Sequence, residues 1–330
     1  MQRTTPQAFL SHTTALVDVR SPLEFERGHI PGAHNLPLFT DAERAQVGIR
    51  YKQGGREPAF LLGLEMVGPK MANFVRQARK LGPALRLYCF RGGARSSSLG
   101  WLFDSAGFTI EVLEGGYKAY RFLVHAAFAE PQKMLVLGGP TGAGKTRLLQ
   151  ILRTRGENVI DLEGLAHHRG SAFGTLAEQQ PTTEQFENDL GQHWLTLNRT
   201  QTVWLEDECK TIGRISLPEP LWAQMRNAQL LFLDLPQAER IRHLLEDYGT
   251  VEPCRLIECA ERIAPRLGPQ RIAAFRAAVE MGNYAEGARI TLDYYDSAYL
   301  FGMSKRDPER VKRVLSQDEV LSWNSISPLS

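Results

Sequence analysis

The stretch "YCFRGGARSSS", residues 88–98, places a cysteine at the end of an apolar run and follows it within six residues by two arginines and two glycines. Nucleophilic cysteine chemistry needs thiolate, which opposed positive charge and converging backbone N–H groups favour. The stretch offers both. Cys89 ends a strand, Gly92 and Gly93 let the chain turn tightly, and Arg95 and Ser96 begin a helix whose N-terminus attracts anions. A small cysteine buried at a strand end without chemistry is the competing reading, and the surroundings decide between them.

Upstream and downstream of the loop, "ALVDVR" (15–20), "LRLYCF" (85–90) and "TIEVLEGG" (109–116) are short apolar runs. They alternate with helical patterns at 65–81 and 95–107. Such alternation predicts parallel pairing in an α/β layer. The segment 39–60 is poorly periodic and reads as an inserted loop with a short helix. A helix over 116–129 closes this half, and Glu130-Pro131-Gln132 marks a seam. Beyond it come a strand at 133–139, a helix from 145, strands near 157–161, 202–206 and 229–235, and a helix from 237. From about 254 to 316 the pattern reads as helical throughout, with Pro265 and Pro269 punctuating it. The expected organisation is a first domain over 1–130, a second over 131–253, and a helical C-terminal region over 254–330 that belongs to the second half.

A chain of 330 residues is long enough for two cores. Its 43% apolar and 23% charged residues are those of an ordinary globular protein. No apolar stretch reaches the roughly 18–20 residues that cross a bilayer, and "MQRTTPQAFLSH" lacks the apolar core of a signal peptide. Four scattered cysteines, at 89, 209, 254 and 259, do not make a disulfide framework. A cytoplasmic location without a membrane partner is the expectation. Residues 1–129 carry 16 Lys and Arg against 10 Asp and Glu; the remainder carries 23 against 27. Neither half has the overwhelming basicity of a dedicated nucleic-acid binder, although phosphate contacts need only a handful of cations.

"GPTGAGKT" (139–146) satisfies G-x-x-x-x-G-K-[ST] between an apolar strand and the helical "RLLQILRT". The backbone N–H groups of such a turn surround phosphate, and Lys145 and the helix dipole add positive charge. Gly139, Thr141, Gly142, Gly144, Lys145 and Thr146 are therefore the candidate phosphate-binding residues, with Thr146 the usual Mg²⁺ contact. Asp161, Asp207 and Asp234, each at or just after a strand end, are the candidate second carboxylates, and ordinary strand-end polarity is their alternative. "DLEGLAHHRGSAFG" (161–174) suits the lip of this site, with Arg169 facing phosphates. Cys254 and Cys259, about 140° apart on a helix, read as packing residues, and so does Cys209.

"VDVRSPLEFERGHIPGAHNLP" (17–37) and "LEGGYKAYR" (113–121) resemble the opening and closing segments of the rhodanese family. That resemblance implies a rhodanese-like parallel-sheet domain whose loop cysteine, here Cys89, carries a persulfide or related chalcogen adduct. Asp18, Arg20, His29 and Gly32 fall on motif positions read as structural. Five residues separate Cys89 from Arg95, where common sulfurtransferase loops have four. The longer spacing is similar to that of dual-specificity phosphatases of the cell cycle, and predicts room for a tetrahedral oxyanion held by Arg91 and Arg95. "GPTGAGKT" also resembles the loop of tRNA dimethylallyltransferases, where it cradles a prenyl diphosphate rather than ATP.

Together with "ERAQVGIRYKQGG" (43–55), "DLEGLAHHRGSAFG" and "VWLEDECKTIGRISLP" (203–218), these blocks resemble the tRNA 2-selenouridine synthase family over about residues 8–300. The resemblance implies a P-loop NTPase-like α/β domain after the rhodanese-like one. The implied substrate is tRNA with 2-thiouridine at the wobble position. Geranyl diphosphate and selenophosphate are the implied co-substrates, with Mg²⁺ at the P-loop and a selenophosphate-supplying enzyme as a further partner. The sulfur is geranylated and geranylthiol is then replaced by selenium, Cys89 engaging selenium as a selenenyl adduct or during attack at the uridine C2. The basic first domain and the region 254–313, with 11 basic and 8 acidic residues, are the candidate tRNA-contacting surfaces. Two alternatives stay open: an ATP-dependent tRNA sulfurtransferase, and a non-enzymatic regulator sensing an anion and a nucleotide. An intact Cys89 loop argues against the regulator.

Overall fold

The computed structural model describes residues 1–168, 179–249 and 251–323. The chain divides into two compact units, Met1–Ala127 with Glu187–Gln192, and Phe128–Phe186 with His193–Ser330.

The first unit is built on five parallel strands, β1 (Gln2–Thr4), β2 (Ala15–Asp18), β3 (His34–Asn35), β4 (Ala84–Tyr88) and β5 (Thr109–Leu113), in the order β1-β5-β4-β2-β3. Strand β4 lies in the middle, and four of its five residues are buried. That burial is why the strand reads as a continuous apolar run rather than an alternating one. Val17, Leu85, Leu87, Phe103, Ile110 and Val112 form the centre of its core. The strand order changes direction between β2 and β4, so the carboxyl ends of these strands border the crevice where open α/β sheets bind ligands.

Two expectations are corrected here. The segment read as an inserted loop with one short helix forms two helices, Asp41–Gly54 and Arg56–Val67. The first has no buried side chain, which explains its missing periodicity, but it opens on a capping box between Thr40 and Glu43. The single helix expected over 65–81 is broken by a 3₁₀ turn at Gly68–Lys70, where Pro69 removes a backbone donor, and resumes as Met71–Arg79.

The second unit holds β6 (Met134–Gly138), β7 (Asn158–Ile160), β8 (Val203–Glu206), β9 (Thr211–Ile212), β10 (Ile215–Ser216), β11 (Gln229–Leu233) and β12 (Val311–Val314). Five of these make a parallel sheet in the order β12-β11-β6-β8-β7, while β9 and β10 pair as a small antiparallel hairpin. The order again changes direction at the central strand, β6. Helices Pro253–Arg262, Pro269–Glu280 and Tyr284–Met303 follow the sheet's last internal strand. The expectation of helix to residue 316 is corrected at its end. Val311–Val314 returns as an edge strand on β11, its exposed Lys312 and Arg313 blunting the edge and masking the strand signal. Among the described residues no helix is long and apolar enough to cross a membrane.

Candidate active site

Cys89 follows directly on β4, and the helix Ala94–Ser105 begins five residues later with Gly93 as its N-cap. Gly92 must be glycine: its φ is 64°, and a Cβ there would lie 2.6 Å from the carbonyl oxygen of Leu113. The closing segment braces the turn, since Tyr117 N–H donates to Cys89 O (2.8 Å) and Lys118 N–H to Phe90 O (3.0 Å). The cysteine is 3% exposed. Its Sγ lies 3.2 Å from Ser96 Oγ, a hydroxyl on the first turn of the helix that can donate to ionised sulfur. Ser96 went unnoticed as a site residue in the sequence, although its place at the helix start was legible.

The two arginines are not equivalent. Arg91 is exposed, its guanidinium carbon 6.0 Å from the Phe90 ring centre. Arg95, expected to help hold an oxyanion, is half-buried and paired with a carboxylate. Its terminal nitrogens donate to Glu24, at 2.5 Å to Oε2 and 3.1 Å to Oε1. Glu24 also completes the capping box of the helix Pro22–Arg27. Burial raises the Glu24 pKa, but the Arg95 hydrogen bond and charge outweigh it and hold the carboxyl below its ordinary value. Beneath the loop, Arg20 and Asp18 form a buried pair (2.6 Å), with Arg20 also donating to Gly28 O and packing 3.8 Å from the Tyr117 ring centre. His29 stacks on Phe25 at 3.8 Å. These contacts agree with a framework role for the motif residues.

In the second unit the P-loop leaves β6 and enters the helix Lys145–Thr154. Gly142 has φ 80°, and a Cβ there would stand 2.8 Å from Arg240 O. Two helices hold the loop from behind. Arg240 donates to Thr141 O (3.2 Å) and pairs with Asp296, and His243 Nδ1 donates to Gly142 O (2.8 Å). Tyr299 accepts from Gly139 N–H (2.9 Å) and donates to Asp207 Oδ2 (2.9 Å). Burial, then the Asp207 charge, pushes the Tyr299 phenol well above its ordinary pKa, so it keeps the proton it donates. Lys145 Nζ donates to Gly139 O at 2.8 Å. The loop borders a cleft of about 1020 Å³ whose wall includes His167, His168, Cys209, Lys210, Arg226 and Lys305.

Of the three expected carboxylates, Asp161 and Asp207 border the cleft. Asp161 borders the cleft but accepts Gly164 N–H (2.6 Å) as a helix cap. Asp207 is tied to Tyr299 and Arg306. Asp234 pairs with Arg313 at 3.4 Å and does not line the cleft. Glu163 and Glu208 line the cleft as well. Thr146 Oγ1 is 3.5 Å from Glu163 Oε2. Glu206 is fully buried at the end of β8; its Oε2 accepts the N–H groups of Leu162 (2.9 Å) and Glu163 (3.4 Å), while Oε1 has no partner among the described residues. Burial, then the Asp161 and Glu163 charges, pushes the Glu206 pKa well up. Glu208 is raised by burial and by Glu163 and Glu206, with Lys145 pulling the other way. Arg169 lies outside the described residues. Of the packing cysteines, Cys259 is buried as expected, whereas Cys254 is exposed and Cys209 is exposed in the cleft wall.

The two halves match known families. Residues 6–122 match the rhodanese-like domain, and residues 132–327 match the tRNA 2-selenouridine synthase AAA domain. The chain belongs to the tRNA 2-selenouridine synthase family. A tRNA 2-selenouridine synthase of Nitrosomonas europaea is 41% identical over 271 residues, covering 78% of this chain and 68% of the relative. That of Psychromonas ingrahamii is 34% identical, with 95% of this chain and 94% of the relative covered. That of Cupriavidus pinatubonensis is 37% identical, covering 90% and 91%.

Proposed function

We propose that this chain is a transferase that converts 2-thiouridine at the tRNA wobble position to 2-selenouridine. The observation that carries the reading is the pairing, in one member of this family, of a cysteine loop and a phosphate loop, each at the carboxyl end of a central parallel strand. In this reading residues 1–130 handle selenium, 131–253 the alkyl donor, and 254–330 brace the phosphate loop.

The chemistry divides accordingly. A thiocarbonyl sulfur leaves poorly until it is alkylated. The uridine sulfur attacks C1 of geranyl diphosphate, the C–O bond breaks, and the diphosphate departs with the electron pair. Gly139, Thr141, Gly142, Gly144, Lys145 and Thr146 surround that leaving anion with N–H groups and one ammonium. The selenium of selenophosphate then attacks C2, the C2–S bond breaks and geranylthiolate leaves and takes a proton from water; hydrolysis of the P–Se bond releases phosphate and leaves selenium on C2. Cys89 engages selenium in this step, with Ser96 oriented at its sulfur.

A divalent cation fits the phosphate loop. Glu163 faces the Thr146 hydroxyl and Glu206 keeps an unpartnered buried oxygen, although no cluster of three or more His, Cys, Asp or Glu side chains among the described residues forms a complete metal cage. Thr146 and Glu163 would hold Mg²⁺, which would supply charge compensation to the leaving diphosphate.

The exposed Arg271, and Lys52 and Arg56 of the first unit, are the proposed tRNA contacts; Arg276 is paired with Glu261. The test is reconstitution with thio-tRNA. Geranyl diphosphate alone should give S-geranyl-2-thiouridine, and addition of selenophosphate should give selenouridine. Selenation that requires ATP and ignores geranyl diphosphate would overturn the reading.

A further inference from the structure

The phosphate-loop cleft adjoins a second cavity of about 60 Å³. Thr141, Leu244 and Tyr248 line both, so the small cavity lies beside the phosphate cradle. Its deep wall is Leu256, Phe275 and Val279, all buried in the cluster formed by the helices Pro253–Arg262, Pro269–Glu280 and Tyr284–Met303. Ala288 lines it from the last of these. No charged side chain lines it among the described residues, and the hydroxyl of Thr291 on its wall is already taken by helix carbonyls at 2.9 and 3.3 Å.

An uncharged pocket next to an anion cradle selects an amphipathic ligand. Water in such a pocket finds few partners, whereas a hydrocarbon gains contact on every side. We propose that this cavity receives the tail of an allylic diphosphate whose head sits on the phosphate loop, an assignment that rests on the geranyl diphosphate reading above and names where its chain lies. One water-sized sphere needs roughly 10–15 Å³ of such volume. The cavity therefore holds about four to six small groups, the size of one five-carbon isoprene unit. A ten-carbon chain puts its first unit between Thr141, Leu244 and Tyr248 and its second in the cavity. A fifteen-carbon chain meets Phe275 and Val279. The pocket thus acts as a length gauge for the donor.

The experiment is calorimetric titration of the full-length protein with inorganic pyrophosphate and with dimethylallyl, geranyl and farnesyl diphosphate. Wild type should bind geranyl diphosphate at least tenfold more tightly than pyrophosphate, and farnesyl diphosphate no more tightly than geranyl. Ala288→Phe, which fills the cavity, should weaken geranyl diphosphate at least tenfold and pyrophosphate less than twofold. Ala288→Leu, a smaller addition at a half-buried position, should fall between and stands in if the phenylalanine is not tolerated. Equal affinity of wild type for pyrophosphate and geranyl diphosphate, or an unchanged geranyl preference in both variants, overturns the tail cavity and leaves the phosphate loop's role standing. Failure of wild type to bind any of the four ligands overturns the donor reading itself, and this proposal with it.

Discussion

The turn after β4 and the turn after β6 hold the same position in their sheets: each leaves the third strand of five, bends through glycine and enters a helix. Their charges are arranged differently. At the first, the thiol is buried and Arg95 is matched by Glu24. At the second, Lys145 bonds its own loop and borders a large cleft whose wall includes Glu208, a carboxyl with a raised pKa. Similar topology therefore sets the place of a site, while the residues packed against the turn set what it can accept. The first turn keeps its sulfur buried beside a neutralised arginine, while the second opens its glycines and a lysine onto a large cleft.

The largest effect that would break this contrast comes from Cys89→Ala. Selenouridine formation should fall to background while S-geranyl-2-thiouridine still accumulates, as nucleoside mass spectrometry of the product tRNA would show. Loss of both products would mean that the two loops do not divide the chemistry. Lys145→Ala should act in the opposite sense, costing the alkylation step about 2–4 kcal/mol because the departing diphosphate loses a preorganised cation. Pre-geranylated tRNA should remain a normal substrate for selenation by this variant. Geranylation at wild-type rate would remove the phosphate loop from that step.

How far each loop could be read from sequence follows the same contrast. The phosphate loop is a local object: strand, glycines, Lys145 and helix are contiguous, so its residues were legible at once. Its carboxylates were only partly legible: Asp161 and Asp207 do border the cleft, whereas Glu163 and Glu208 border it too without any spacing signal that ties them to the loop. The Cys89 turn was legible as a turn, but Glu24, 71 residues from Arg95, was invisible to spacing. The main parallel strands announced themselves as apolar runs because both faces are covered. Strands β1, β3 and β12 did not: two are only two or three residues long, and the third has a charged middle. Asp41–Gly54 shows the converse, a helix with no buried face that only its capping box betrays.

Glu24→Gln sharpens the comparison by making the first loop more like the second. Arg95 would lose its charged partner and become available to an anion, at a cost to the capping box of roughly 1 kcal/mol. Phosphate should then protect Cys89 from iodoacetamide several-fold better than in wild type, with only a small fall in melting temperature. Unchanged protection would show that Arg95 is held by the fold rather than by Glu24, and that the loop's anion contacts come from elsewhere.

The smallest expected effect tests the carboxyl buried at the end of β8. Glu206 is buried beside Asp161 and Glu163, so its proton is retained in the folded chain well above the ordinary value of 4.5. An unfolded chain releases that proton near the ordinary value. The folded state therefore binds more protons across the interval, and this group's contribution to stability is complete below about 4.5 and is lost as pH rises towards the raised value. Glu206→Gln keeps an oxygen for the Leu162 and Glu163 N–H groups but has no proton to hold. Relative to wild type, the variant should gain stability as pH is raised from 5 to 8, read as the difference between two melting curves measured in parallel. A difference that stays flat across that range would place the retained proton on the Glu163–Glu208 pair, where Lys145 opposes it, and would make the wall's charge state sensitive to whatever occupies the phosphate loop.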